Sequence, residues 1–361
     1  MRKLIFPLAI FALIVVACQD NSEEITPNQE VATIDMSDFY VYTNDSDIAS
    51  KSSADAKNDK CASMKVLNQQ LKDNPGLENR MYAIEKHTRE YIAAKGNSTG
   101  KGKPGGGGTT PPATYDGTIT IPVYVHVIYS NSSQNISDAQ INSQIAVLNN
   151  DFNDTNYNDV PTEFRAVGAD VDINFTLNSA NIARHSDTTT SWGTNNAVKS
   201  EYPPVAGYLN FWVCEIGGGI LGYAQFPGGN ASTDGVVVGT EFFGSIILNP
   251  SGYYGDPKSP YYDSYNKGRT ATHEVGHWLN LRHIWGDGRC KQDDFVADTP
   301  SSDGPNYGCP TYPTVNCNSN DMTQNYMDYT DDACMNMFTL GQNDRMKAIF
   351  ASGGARESFV Q

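Results

Sequence analysis

The chain of 361 residues holds 25 basic against 41 acidic side chains, a formal net charge of −16. That balance argues against a nucleic-acid partner, since such proteins are usually basic. A hydrophobic fraction of 39% with 32 Gly, 18 Pro and 20 Tyr suits a loop-rich exported protein and excludes a simple helical bundle.

At the N-terminus, Arg2 and Lys3 precede an apolar run from Leu4 to Val16. The run is shorter than the roughly 20 residues needed to cross a membrane, so residues 1–17 are expected to be a signal peptide. It ends in Val15-Val16-Ala17-Cys18, which resembles a bacterial lipobox. The resemblance implies lipidation of Cys18, an outer-membrane or cell-surface location, and contact with the membrane only through that lipid. Residues 18–55 are polar and acidic and are expected to be a flexible tether.

Residues 56–94 read as two helices. Met64, Leu67 and Leu71 share one face, and "DNPG" ends that run. Asn74 and Pro75 suit the cap and first position of the second helix, whose stripe is Leu77, Met81, Ile84, Thr88 and Tyr91. The glycine-rich stretch that follows makes residues 95–114 an expected linker.

From residue 115 the pattern changes. "TITIPVYVHVIYS" predicts a strand, "SDAQINSQIAVLNNDF" a helix capped by Ser137, and "VDINFTL", "LNFWVCEI" and "GVVVGTEFFG" further strands. A helix around "GQNDRMKAIFASGG" closes the chain. Strands and helices without strict alternation predict an α+β fold with a twisted mixed sheet.

"HEVGHWLNLRH" carries the chemistry. His273 and His277 lie one helical turn apart and can share a metal ion, and Glu274 beside them can act as general base on a water at that metal. On an unbroken helix His283 would lie about 15 Å beyond His273, so the chain must turn back between His277 and His283. That turn needs a left-handed residue. The eleven-residue metalloprotease pattern that this stretch resembles has glycine at this place; Asn280 is the substitute that such a conformation tolerates best. Structural zinc sites are closed by four protein ligands, whereas three ligands suit a catalytic ion. Four cysteines follow, Cys290, Cys309, Cys317 and Cys334, and allow three pairings between which the residues alone do not choose. Cys214, inside an apolar strand, is expected to be a buried thiol.

"HEVGHWLNLRHIWGD", "LNFWVCEIGGGILGYAQFPGG" and "QNYMDYTDDACMNMFTLGQNDRM" together resemble the pappalysin family of metzincins, in its cytophagalysin and ulilysin-like branch. The resemblance covers residues 115–361. It implies a zinc endopeptidase with the sheet and active-site helix in an upper subdomain. An irregular, disulfide-stapled lower subdomain would carry the Met-turn and a C-terminal helix. It further implies Met327 as the Met-turn floor and Tyr329 as a donor to the reaction's oxyanion. The disulfides would be Cys290–Cys317 and Cys309–Cys334, and Cys61 a pro-segment cysteine that ligates zinc in a latent form, although Ala62 stands where the family usually has glycine. Asp332 would form the base of a pocket for Arg or Lys on the carboxyl side of the cleaved bond (P1′), and Asp294 and Thr299 would bind calcium. Such an enzyme, a monomer acting on proteins or peptides, could cut Gly100–Lys101 or Gly102–Lys103 in its own linker. The competing class, an inactive metzincin kept as a surface-binding lipoprotein, would be marked by loss of Glu274 or a histidine. Both features are present.

Overall fold

A computed structural model describes residues 34–42, 60–99 and 117–360, apart from 155, 156, 158 and 258. The expected signal peptide, Cys18 and the two linker bonds lie outside the described residues.

One five-stranded sheet, in the order β2-β1-β3-β5-β4, organises the catalytic part. Its strands are β1 (Ile119–Tyr129), β2 (Ile173–Ser186), β3 (Leu209–Cys214), β4 (Gly222–Ala224) and β5 (Val236–Gly239). All pairings are parallel except β4 with β5, so β4 is an antiparallel edge strand. Alternation puts Ile119, Ile121, Val123, Val125 and Val127 on one face of β1, all fully buried. They face helix α3 (Asp138–Phe152) through its stripe of Ile141, Ile145, Leu148 and Phe152. Ser137 caps that helix by accepting the Gln140 amide at 3.2 Å. The same cluster reaches the active-site helix α5 (Arg269–Trp278), which packs on β4, β5 and α3. On the sheet's other face Trp212, Cys214, Tyr223 and Val237 meet Val198 of the short helix α4 (Ala197–Glu201). Cys214 is a buried free thiol.

The chain after α5 is irregular. It holds only the two-stranded β6 (Val315–Asn316) and β7 (Ser319–Asn320) before helix α6 (Leu340–Ala348). Thr339 and Gln342 form a reciprocal capping box at the start of α6. Cys290–Cys317 and Cys309–Cys334 cross-link this region.

The N-terminal helices are α1 (Ser63–Asp73) and α2 (Leu77–Thr99). Met64, Leu67, Leu71, Leu77 and Met81 bury together against Phe226 of the catalytic part; each such side chain contributes about 1.5–3 kcal/mol. Three expectations for this region are corrected. Asn74 does not cap α2: its amide closes α1 on the Gln70 carbonyl at 2.9 Å, and Pro75-Gly76 turn the chain before α2 begins. Helix α2 runs on through Thr99, and Lys95 pairs with Asp344, so residues 95–99 are helical and not linker. The acidic tether also contains an ordered stretch. Residues 34–42 lie against the catalytic part as a strap with Val41 buried, because Phe39, Tyr40 and Val41 supply the apolar surface that a tether lacks.

Candidate active site

Helix α5 is buried along its length from Thr270 to Trp278. Its end is a Schellman turn. The Asn280 amide donates to the His277 carbonyl at 3.0 Å, the Leu281 amide donates to Gly276 at 2.9 Å, and Asn280 itself sits at φ 77°. This left-handed residue sends the chain back so that His283 meets the two helical histidines.

The three imidazoles are oriented by partners on their far sides. Nδ1 of His273 donates to the Tyr326 carbonyl at 2.7 Å, and Nδ1 of His277 to the Leu281 carbonyl at 2.8 Å. Nδ1 of His283 pairs with Asp287. A carbonyl only accepts, so Nδ1 of His273 and His277 must carry the hydrogen, which leaves the Nε2 lone pairs facing inward. His277 Nε2 lies 3.2 Å from that of His273 and 3.1 Å from that of His283. Tetrahedral ligands at zinc–nitrogen distances of about 2.1 Å would lie about 3.4 Å apart, so the set fits zinc with a small outward adjustment. Burial first, and the neighbouring His283 second, push His273 down to about 3, which favours the neutral, ligating form. Trp285 stacks on His283 with ring centres 4.3 Å apart. Beneath them the Met327 thioether fills the space left by Gly276, where an added Cβ would lie 2.4 Å from the sulfur.

The fourth donor is Cys61. Its sulfur and one nitrogen of each histidine lie within 4.8 Å of one another, all four residues buried. Residues 60–62 pair with the free edge of β4 through Leu221 N to Lys60 O at 2.8 Å and Ala62 N to Gly222 O at 3.0 Å. The approach is close: a Cβ on Gly222 would stand 2.9 Å from Cγ of Glu274. Glu274 is also engaged. Its Oε2 accepts the Ser63 hydroxyl at 2.6 Å and lies 3.4 Å from the Cys61 sulfur. Ser63 Oγ in turn accepts the Ala224 amide at 2.7 Å. The Tyr329 hydroxyl donates to the Cys61 carbonyl at 3.4 Å.

Beside Glu274 a narrow cavity is lined by Tyr265, Thr270, Met335 and the buried Asp332. Asp332 Oδ2 accepts the Lys267 and Arg269 amides at 2.8 and 3.2 Å, while Oδ1 has no hydrogen-bond partner among the described residues. Burial, opposed by Arg269, raises this carboxyl to about 6. Lys60 closes the cavity, its ammonium 3.3 Å from the centre of the Tyr261 ring. Farther off, the Thr299 hydroxyl lies 2.9 Å from each oxygen of the buried Asp294. Asp298 in the same loop instead tethers α6, accepting from Thr339 at 2.6 Å and Gly341 at 2.9 Å.

Mixed sheet, buried active-site helix, left-handed return and three convergent histidines define a zinc metalloendopeptidase of the metzincin class. Comparison with known proteins carries the assignment further. The sequence profile described as Pregnancy-associated plasma protein-A matches residues 208–351. The "Extracellular metalloprotease" of Pyricularia oryzae is 35% identical over 251 residues, covering 66% of this chain and 77% of that protein. Tannerella forsythia mature mirolysin in complex with a cleaved peptide is 43% identical, with a TM-score of 0.62 over 68% of this chain and 96% of its own. A promirolysin mutant from the same organism is 36% identical, with a TM-score of 0.68 over 83% and 96%. The chain belongs to the pappalysin family, the family of pregnancy-associated plasma protein-A.

Four contributors escaped the sequence reading: Ser63, Asp287, Phe226 and the strap. Asp287 left a local signal, four residues after His283, and the strap a fainter one in its run of Phe39, Tyr40 and Val41. Ser63 meets Glu274 across 211 positions of chain, and no short spacing announces it.

Proposed function

We propose that the chain is a latent zinc endopeptidase, silenced by its own residues 60–63 and active once they leave. One observation carries this reading: Cys61 and Ser63 together engage the three-histidine cluster and Glu274. The promirolysin match supports it, since it extends over a larger share of this chain than the mature mirolysin match.

In the active form His273, His277 and His283 would hold the ion. Zinc, when bound, supplies Lewis acidity that makes a water nucleophilic and polarises the peptide carbonyl. Glu274, freed of Ser63, takes the proton from the attacking water and delivers it to the leaving amine. Tyr329, freed of the Cys61 carbonyl, turns its hydroxyl to the developing oxyanion, a contact typically worth a few kcal/mol. Met327 holds the histidines from below. Asp332, with Oδ1 unengaged, receives the guanidinium or ammonium of Arg or Lys at P1′. Among the described residues the buried Asp294 carboxyl has only neutral hydrogen-bond partners, Thr299 and the Val296 amide, which supports calcium there.

The substrates are proteins or peptides outside the cell, in keeping with relatives named extracellular metalloproteases. Lipidated Cys18 would hold the latent monomer at the cell surface, and a cut at Gly100–Lys101 or Gly102–Lys103 would leave the lipid on the pro-segment. The test expresses the full chain and its Glu274→Ala variant and maps cuts in a complex peptide mixture by mass spectrometry, with and without a zinc chelator. Chelator-sensitive cuts before Arg or Lys are expected from the parent alone. No such cleavage would sink the enzyme reading, and cuts without a basic P1′ residue would sink the role of Asp332. Linker processing in purified Glu274→Ala would show that activation is not autocatalytic.

A further inference from the structure

The strap and α2 cover a second surface of the catalytic part, separate from the metal. Its centre is Phe295, which stands at φ 63°, a strained setting for a bulky residue. The rings of Phe39 and Tyr40 lie 5.4 and 5.2 Å from the Phe295 ring. Arg282 and Arg345 flank it, their guanidinium carbons 5.1 and 5.8 Å from the ring centre. Arg282 donates to the Tyr40 carbonyl at 2.7 Å, and the Tyr40 hydroxyl donates to the carbonyls of Gly286 and Asp293 at 2.6 and 2.8 Å. A chain of alternating charge completes the contact. Asp38 pairs with Arg89 at 2.6 Å, Arg89 with Glu85 at 2.8 Å, and Glu85 with Arg345 at 2.7 Å.

Everything on the near side of this contact belongs to the pro-segment. Its departure removes the one carboxylate that pairs with Arg345 among the described residues. It also uncovers Arg282, now 4% exposed, in a protein of net charge −16. In the latent chain Asp38 is held by Arg89 and Arg345 by Glu85, both on α2, so the loss of α2 leaves an acid at the place of Asp38 and Arg345 as complementary charges without those partners. The surface continues into the cleft: Phe226 packs with Val41 and Phe39 on one side and lies 5.2 Å from the His277 ring on the other.

We propose that Phe295, Arg282 and Arg345 form a docking site for an extended peptide stretch in which an acidic residue precedes two aromatic ones. The strap fills it in the latent chain, and protein substrates carrying such a stretch fill it in the active enzyme. In both cases the aromatic pair stacks on Phe295 and a backbone carbonyl accepts from Arg282; in the active enzyme, where Arg89 and Glu85 are absent, the acid pairs with Arg345 instead. The site adds affinity without touching the reacting bond, so it acts on KM. It rests on the proposed departure of the pro-segment.

The test uses the full chain, converted in solution by cleavage between α2 and β1 and freed of the pro-segment by size exclusion. Two substrates are compared: a short peptide, and the same peptide carrying the sequence of residues 34–42 on its N-terminal side through a Gly-Ser spacer. The readout is the ratio of their kcat/KM values within each variant, so any general loss cancels. The parent should favour the extended substrate at least tenfold through KM. Arg345→Glu and Phe295→Ala should each bring the ratio near one, and replacing the peptide's acidic residue that corresponds to Asp38 by lysine should restore it in part for Arg345→Glu. A parent ratio near one, or a ratio untouched by both variants, overturns the proposal. Fluorescence anisotropy of a labelled peptide of residues 34–42 gives a second readout independent of turnover. No cleavage of the short peptide would count against the proposed function, whereas no binding of the labelled peptide would count against this site.

Discussion

Ser63→Ala separates latency from catalysis, because under the function proposed above the residue belongs to the inhibitory segment and takes no part in the active enzyme. The substitution removes a 2.6 Å hydrogen bond to the Glu274 carboxylate and the acceptor of the Ala224 amide, both buried. A hydrogen bond to a charged group contributes about 1.5–3 kcal/mol, and a buried amide left without a partner costs about 1–3 kcal/mol. Because the amide can turn to water once the segment lifts, about 2–4 kcal/mol is the reasonable sum. At 1.4 kcal/mol per decade that raises the open, active fraction of the uncut chain by roughly 30- to 700-fold. The assay is chelator-sensitive cleavage of a quenched peptide by full-length protein, with intact linker verified by mass spectrometry at each time point. Ser63→Ala should leak while uncut and match the parent once both are converted. A variant as silent as the parent would refute the reasoning and leave Cys61 as the whole lock. Because Cys61 and Ser63 share Glu274, the double variant should leak less than the product of the two single effects.

Asn280→Gly should leave activity unchanged and stability within about 1 kcal/mol, since glycine takes φ 77° freely but adds unfolded-state entropy. Asn280→Val should cost about 1–2 kcal/mol or more and loosen His283, read as faster zinc loss to a chelator. Asp287→Ala removes the Nδ1 partner of His283 and should weaken zinc binding roughly 10- to 100-fold, measured by competition with a chromogenic chelator. The docked α2 should also sense acid. Burial works to raise Glu85, but Arg345 and Arg89 prevail and hold it at about 2 against an ordinary 4.5. A depressed carboxyl stabilises the docked state fully above the ordinary value, and that contribution fades as pH falls from 4.5 toward 2. Hydrogen exchange of α2 should accelerate over that window in the parent and change less in Glu85→Gln.

The zinc helix was legible because its information is local: one helical turn relates His273 to His277, and one left-handed residue explains His283. Strands β1 and β3 were legible from their runs of β-branched and aromatic residues, and α3 from its cap and stripe. Strand β2 was legible only to Leu177 and runs on to Ser186, while the expected strand over 235–244 ends at Gly239, where Thr240–Phe242 form a 3-10 turn. Strand β4 was not legible. Gly222 and Ala224 disfavour extended structure, one tyrosine between them makes no strand pattern, and the three become a strand by pairing with β5. The helical continuation to Thr99 was hidden by glycine and serine, residues that tertiary contact outweighs here through Lys95 and Asp344. The strap read as tether because acidity dominates its surroundings, and only the run "DFYVY" hinted at burial.

Strand β4 also bears on how such a protein survives its own synthesis and export. Three residues at the border of a sheet offer unpaired amides and carbonyls that any extended chain could adopt as a template, including the same strand of a second copy. Because Lys60 and Ala62 already occupy that border, the folded precursor has no open edge there to share. Under the latency proposed above, residues 60–62 would thus double as a guard against self-association, and the edge would open to peptides only when the site opens to cut them.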